Sequence, residues 1–153
     1  MDLDAIDKKI LMHLQENARI TNAQLSKEIG LSPAPTLERV KKLESAGMIN
    51  GFHAELNRKK LDLGVCIFLQ ASLVATDKGK FESFKKKINE IDEVVECHHI
   101  TGSSDFLIKI YTKDIDTYNR FVLDKLIDLD EIGNLQSIVV LDTYKDSKTL
   151  KIP

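Results

Sequence analysis

The chain has no tryptophan, only two cysteines in 153 residues, and no apolar run approaching a membrane span. A spanning helix needs about 20 consecutive apolar residues, so no membrane partner is expected. Cys66 and Cys97 stand far apart without a CxxC pair, which argues against a disulfide framework and for a reducing compartment. The first seven residues, MDLDAID, are acidic and lack the basic-then-apolar order of a secretory signal. A soluble, cytoplasmic protein is expected. Also missing are a Ser/His/Asp triad spacing, a phosphate-binding glycine loop and a paired-carboxylate motif, so no catalytic residue, no enzymatic activity and no cofactor is assigned. An excess of positive charge is lacking too. The net charge is −2, and residues 1–60 hold 10 Lys and Arg against 8 Asp and Glu, while residues 61–153 hold 12 against 16. Charge therefore permits DNA binding without arguing for it, because non-specific affinity grows with each phosphate neutralised.

The apolar fraction of 42% is that of an ordinary globular protein, and its periodicity changes along the chain. Up to about residue 50 it is helical. Ile6, Ile10 and Leu14, flanked by Leu3 and Leu11, form one stripe, with Asp4 as its candidate cap. Thr21 and Gln24 spell a capping box for a second helix that buries Leu25 and Ile29 and stops at Gly30. Ser32 is expected to cap a third helix through the Ala34 N–H, with Pro33 at its first position. Leu37, Val40 and Leu43 are its expected buried edge, and Gly47 ends it. Because Ala34 precedes Pro35, the first turn is expected to be strained or irregular. Met48 to Leu56 reads as a short strand or connecting arm. The domain boundaries expected are 1–50 for a helix-turn-helix, 51–63 for a linker or connecting strand, and 64–153 for a second domain.

In that second domain Val65–Val74 is a β-branched and aromatic run, and Phe81, Phe84, Ile88 and Ile91 follow helical spacing. Two strands, Val94–Ile100 and Phe106–Thr112, flank a Thr-Gly-Ser-Ser-Asp loop. A helix over Ile115–Ile127 and a strand over Gln136–Tyr144 complete the order β-α-β-β-α-β, the ferredoxin-like unit. The fold class expected is therefore α+β. With both helices on one sheet face, the other face is apolar enough to require a partner, and self-association is expected.

A helix that reads the major groove needs a compact, polar outer side. On the third helix Pro33, Ala34, Pro35, Glu38, Arg39, Lys41 and Lys42 lie off the expected buried edge. Arg39 is the candidate for a guanine or phosphate contact and Lys42 for phosphate. Thr21, Asn22 and Gln24 are candidates for the backbone of double-stranded DNA, and Ser32 and Thr36 join the candidate set at the start of the third helix. Elsewhere, Cys97-His98-His99 invites a metal reading, but alternation puts only Cys97 and His99 on one side, too few for a structural zinc site. No metal is assigned. Lys85-Lys86-Lys87 reads as a solvated helix face, with a secondary DNA-wrapping surface as the alternative.

The run LSPAPTLERVKKLESAGMINGFHAELN, with TNAQLSKEIG before it, strongly resembles the Lrp/AsnC (leucine-responsive, feast/famine) transcriptional regulators. The resemblance continues through Leu63-Gly64, the loop TGSSDF and the last strand. It implies an N-terminal winged helix-turn-helix, falling on Asn22 to Lys41, followed by a ferredoxin-like βαββαβ domain that senses amino acids. It implies homodimers that assemble further, for example to octamers. It places an effector site between dimers, at Gly102, Ser103, Ser104 and Asp105 with Gln136 and Ser137. Backbone N–H groups at Gly102 to Ser104 suit the carboxylate of a zwitterion and Asp105 its ammonium. Many members have a glycine before the final strand and two threonines at its start. Here Glu131-Ile132 and Leu135-Gln136-Ser137 stand instead. This variant and the 147–153 segment resemble the branch responding to leucine or methionine. The alternative function is an amino-acid-sensing protein-interaction module, or a regulatory subunit without sequence-specific DNA binding.

Overall fold

The computed structural model describes residues 2–75 and 77–153. The chain forms two compact units, one from residues 1–55 and 144–153 and one from residues 56–143. Residues 144–153 group with the helical unit.

In the first unit, α1 (Ala5–Glu16), α2 (Asn22–Ile29) and α3 (Pro33–Ser45) close over a core of Ile10, Leu25, Ile29 and Leu43. Asp4 caps α1, accepting the Asp7 N–H at 2.7 Å while the Asp7 carboxylate takes the Asp4 N–H. Thr21 and Gln24 do the same for α2. Gly30 adopts φ +75°, a left-handed conformation that a side chain disfavours, and this lets Leu31 N–H close back on the Ser26 carbonyl.

α3 differs from expectation in three ways. Ser32 makes no side-chain cap. The helix runs without irregularity from Pro33, because proline in a first turn lacks only an N–H that has no partner within the helix. Its buried residues are Thr36 and Leu43 with Val40 half-buried, a spacing of four and three, whereas Leu37 is 44% exposed. A 3.6-residue period cannot keep a strict i, i+3, i+6 row facing inward, so Thr36 takes the place expected for Leu37. Of the two forms expected for Met48 to Leu56, no strand is present and the segment is a connecting arm.

The second unit opens with a 3₁₀ turn, Arg58–Leu61, and continues as β1 (Val65–Leu73), α4 (Lys78–Asn89), β2 (Val94–His99), β3 (Phe106–Thr112), α5 (Ile115–Phe121) and β4 (Ile132–Val139). The sheet is antiparallel in the order β2-β3-β1-β4. This is the expected ferredoxin-like topology, and the chain is α+β.

Alternation sends Ile67, Leu69, Ala71 and Leu73 of β1, with Phe106, Ile108 and Ile110 of β3, to one face. There they bury Phe84 and Ile88 of α4 and Tyr118 and Phe121 of α5. After α5 the chain widens into a π turn, Val122–Leu126, with Ile127 N–H on the Val122 carbonyl, and Leu126 enters the same core. The last strand lies earlier than expected. It begins at Ile132, passes through Gly133 and ends at Val139, leaving residues 140–144 outside it. Gly133 sits where β4 meets an irregularity of β1 between Ser72 and Leu73. A Cβ there would stand 3.2 Å from the Val74 backbone, so the close approach of two strands favours glycine.

Candidate nucleic-acid interface and effector loop

The outward side of α3 is set by what its inward side buries. With Thr36, Val40 and Leu43 turned to the core, Pro33, Ala34, Leu37, Glu38 and Lys41 form one exposed strip, with Lys42 beside it. Its first turn is held in place by Asn22, whose side-chain amide donates to the Pro33 carbonyl at 2.8 Å. Thr21 and Gln24 bond chiefly to one another. Ser32 is exposed, and its carbonyl accepts both the N–H and the hydroxyl of Thr36.

Of the candidate DNA-contacting residues, Pro33, Ala34, Glu38 and Lys41 share the exposed strip of α3 and Asn22 bonds its first turn, while two lie differently. Thr36 is fully buried and its hydroxyl is committed to Ser32 at 2.9 Å, so its side chain has no outward surface to offer. Arg39 turns aside from the strip. Its Nη1 donates to Asp4 Oδ2 and Asp7 Oδ1, both at 2.7 Å, joining α3 to the capped start of α1. The Asp7 N–H and the Arg39 guanidinium together hold the Asp4 carboxyl below its ordinary pKa, and the two carboxylates raise that of Arg39. Leu37 is the residue the sequence reasoning missed. Its signal was present, because Thr36, Val40 and Leu43 satisfy helical period better than Leu37 does. An exposed aliphatic between Ala34 and Lys41 is suited to contact with a thymine methyl.

In the second unit, the loop between β2 and β3 is fastened to the end of β1. Asp105 N–H donates to the Ala71 carbonyl at 3.0 Å, and Asp105 Oδ2 accepts the Leu73 N–H at 2.8 Å. Ser72 Oγ reaches the Ser103 carbonyl, and Gly102 has φ +124°. Gly102 and Ser103 are exposed and Ser104 is half-buried. Asp105, the expected acceptor for the ammonium group, is also a backbone clamp. Gln136 pairs with Gln70 on the open sheet face, whereas Ser137 pairs with Leu69 and contacts the Tyr118 hydroxyl on the helix side. Strand β1 stands between β4, which carries Gln136 and Ser137, and β3, which follows the loop.

The remaining singled-out residues fall outside both sites. Cys97 and His99 share the helix side of β2, as alternation requires, and His99 packs edge-on against Phe81 with ring centres 5.1 Å apart. Burial pushes the Cys97 thiol up from its ordinary pKa, which keeps it protonated. Of the three consecutive lysines, Lys87 is committed to Glu131, at 2.8 Å.

A helix-turn-helix with an outward third helix, followed by a ferredoxin-like unit with a fastened glycine loop, defines a two-domain DNA-binding regulator with a ligand domain. Residues 3–50 match the winged helix-turn-helix DNA-binding family, and residues 66–150 match the Lrp/AsnC ligand binding domain. The leucine-responsive regulatory proteins of Escherichia coli K12 and Klebsiella pneumoniae are each 38% identical over 151 residues, 99% of this chain and 92% of theirs. A transcriptional regulator of Neisseria meningitidis, solved as an L-Met complex, superimposes with TM-score 0.93 at 36% identity, covering 98% of this chain and 97% of that one. AsnC of E. coli superimposes with TM-score 0.89 at 30% identity, covering 98% and 99%. The chain belongs to the Lrp/AsnC family of transcriptional regulators. Membership favours a DNA-binding regulator over a protein-interaction module. No described helix is long and apolar enough to cross a membrane.

Proposed function

We propose that this regulator presents α3 to the major groove and responds to an apolar amino acid, leucine or methionine, bound at the Gly102–Asp105 loop. The observation that carries the DNA reading is the exposed strip Pro33, Ala34, Leu37, Glu38 and Lys41 on a helix buried along its other side. Its compact first turn admits close approach to base edges, while Lys41, Lys42 and the polar start of α2 (Thr21, Asn22, Gln24) meet phosphates. Lys41→Ala should weaken binding to operator and unrelated DNA alike and lower the salt slope by about 1. An unchanged slope in a fluorescence titration removes Lys41 from the interface.

For the effector, the placement of β1 between β3 and the strand carrying Gln136 and Ser137 supports a site completed by a second copy. The open sheet face carries Phe68, Leu107, Tyr111 and Ile138, a surface suited to covering by another protomer. A homodimer assembling further, for example to an octamer, and acting in the cytoplasm, fits both features. Support for the ligand class comes from the L-Met complex of the Neisseria relative. Calorimetry with the twenty amino acids should show binding of leucine or methionine. Asp105→Asn keeps an oxygen for Leu73 N–H but loses the charge, and should weaken that binding roughly tenfold or more. Equal affinity would take Asp105 out of the site.

A further inference from the structure

The helical unit holds a second groove, away from the outward strip of α3. Leu11, Leu14 and Ala18 of α1 and its following turn form one wall, and Met48, Ile49 and Phe52 form the other. The cavity is about 410 Å³, and its third side is made by Lys148, Leu150 and Ile152 of this same chain. The contact is reciprocal. Gln15 Nε2 donates to the Leu150 carbonyl at 3.2 Å, and Leu150 N–H donates to Gln15 Oε1 at 2.7 Å.

A side-chain amide offers a donor and an acceptor side by side, as the peptide unit of a neighbouring strand does, and so it reads an extended backbone. Leu150 keeps its side chain largely exposed while its backbone is held, and Ile152 is half-buried. Ahead of the contact, Lys148 pairs with Asp146, and Thr149 N–H bonds Ser147 Oγ. The segment is thus locally organised as well as gripped. It is tied covalently to β4 through residues 140–143.

We propose that Gln15 and the adjoining wall of α1 form a peptide-recognition site of the DNA-binding unit, whose ligand is the chain's own residues 148–152, taken through their backbone by Gln15 along one side of the groove. The bound peptide faces Met48, Ile49 and Phe52 across the groove and closes its third side.

Amide hydrogen exchange on the intact chain, followed by NMR, tests it. Leu150 N–H should exchange at least about tenfold more slowly than in a free capped peptide of residues 144–153, as a hydrogen-bonded amide does. Gln15→Ala, a change on an exposed helical face, should return it to the free rate. Gln15→Glu keeps an acceptor for Leu150 N–H and should retain part of the protection. A tethered ligand has an effective concentration on the order of millimolar, so the capped peptide added at millimolar concentration should displace the segment and speed Leu150 exchange. A free-peptide rate in the unaltered chain, full protection in Gln15→Ala, or no response to added peptide would each overturn the proposal.

Discussion

Glu131 fastens β4 to α4, and its replacement has a calculable, pH-dependent consequence. The residue is 3% exposed. Ser83 Oγ donates to Oε1 at 2.6 Å, and Lys87 Nζ reaches both oxygens, at 2.8 and 2.9 Å. Lys87 first, and Ser83 second, hold the Glu131 pKa down at about 2. A carboxyl depressed on folding stabilises the native state above its unfolded pKa. That contribution declines as pH falls below about 4.5 and is gone below about 2. The full shift would correspond to about 3 kcal/mol. The Lys87 side chain remains 39% exposed, however, and water screening of that partner brings the contribution to roughly 1–2 kcal/mol. Glu131→Gln keeps the shape and an oxygen for Ser83 but loses the charge. At pH 7 it should cost about 1–2 kcal/mol, and the cost should vanish as both proteins approach pH 2. Thermal unfolding followed through resolved methyl signals of Ile67 and Ile108, from pH 7 to pH 2, measures this. If the variant matches the parent at pH 7, or loses as much stability below pH 4.5, the ion pair does not contribute as argued.

Other expectations concern the helical unit. Arg39→Met should lower its melting temperature, and adding Asp7→Asn should restore much of the loss, because no unpaired buried carboxylate remains. Operator and unrelated DNA should be weakened by similar factors. A loss confined to one base position at unchanged melting temperature would show that Arg39 reads a base. Gly30→Ala meets no neighbouring atom, so its cost is backbone conformation alone, about 1–2 kcal/mol in chemical denaturation. A smaller change would mean that the turn relaxes out of the left-handed region.

Much of this architecture was legible in residue order because it rests on local chemistry. Asp4, Thr21 with Gln24, and Gly30 mark helix ends by bonds made within a few residues. Phe106–Thr112 alternates because one sheet face is buried and the other is not. Reading failed where a distant partner decides. Arg39 reads as a free DNA-contacting side chain until Asp4 and Asp7 are seen beside it, and the last strand reads as starting at Gln136 until Leu73 is found paired with Ile132. The sites divide in the same way. The Gly102–Asp105 loop is local, whereas the engagement of Arg39 is not.

What the sequence by itself determined is the succession of helices and strands, the ferredoxin-like order and the family, since caps, periodicity and motif spacing are properties of neighbouring residues. Tertiary structure alone decided that Arg39 joins α3 to α1 and that residues 148–152 rest against Gln15. Each of these joins groups separated by tens of residues. Such choices are made by the packing of the whole unit, and no local pattern encodes them.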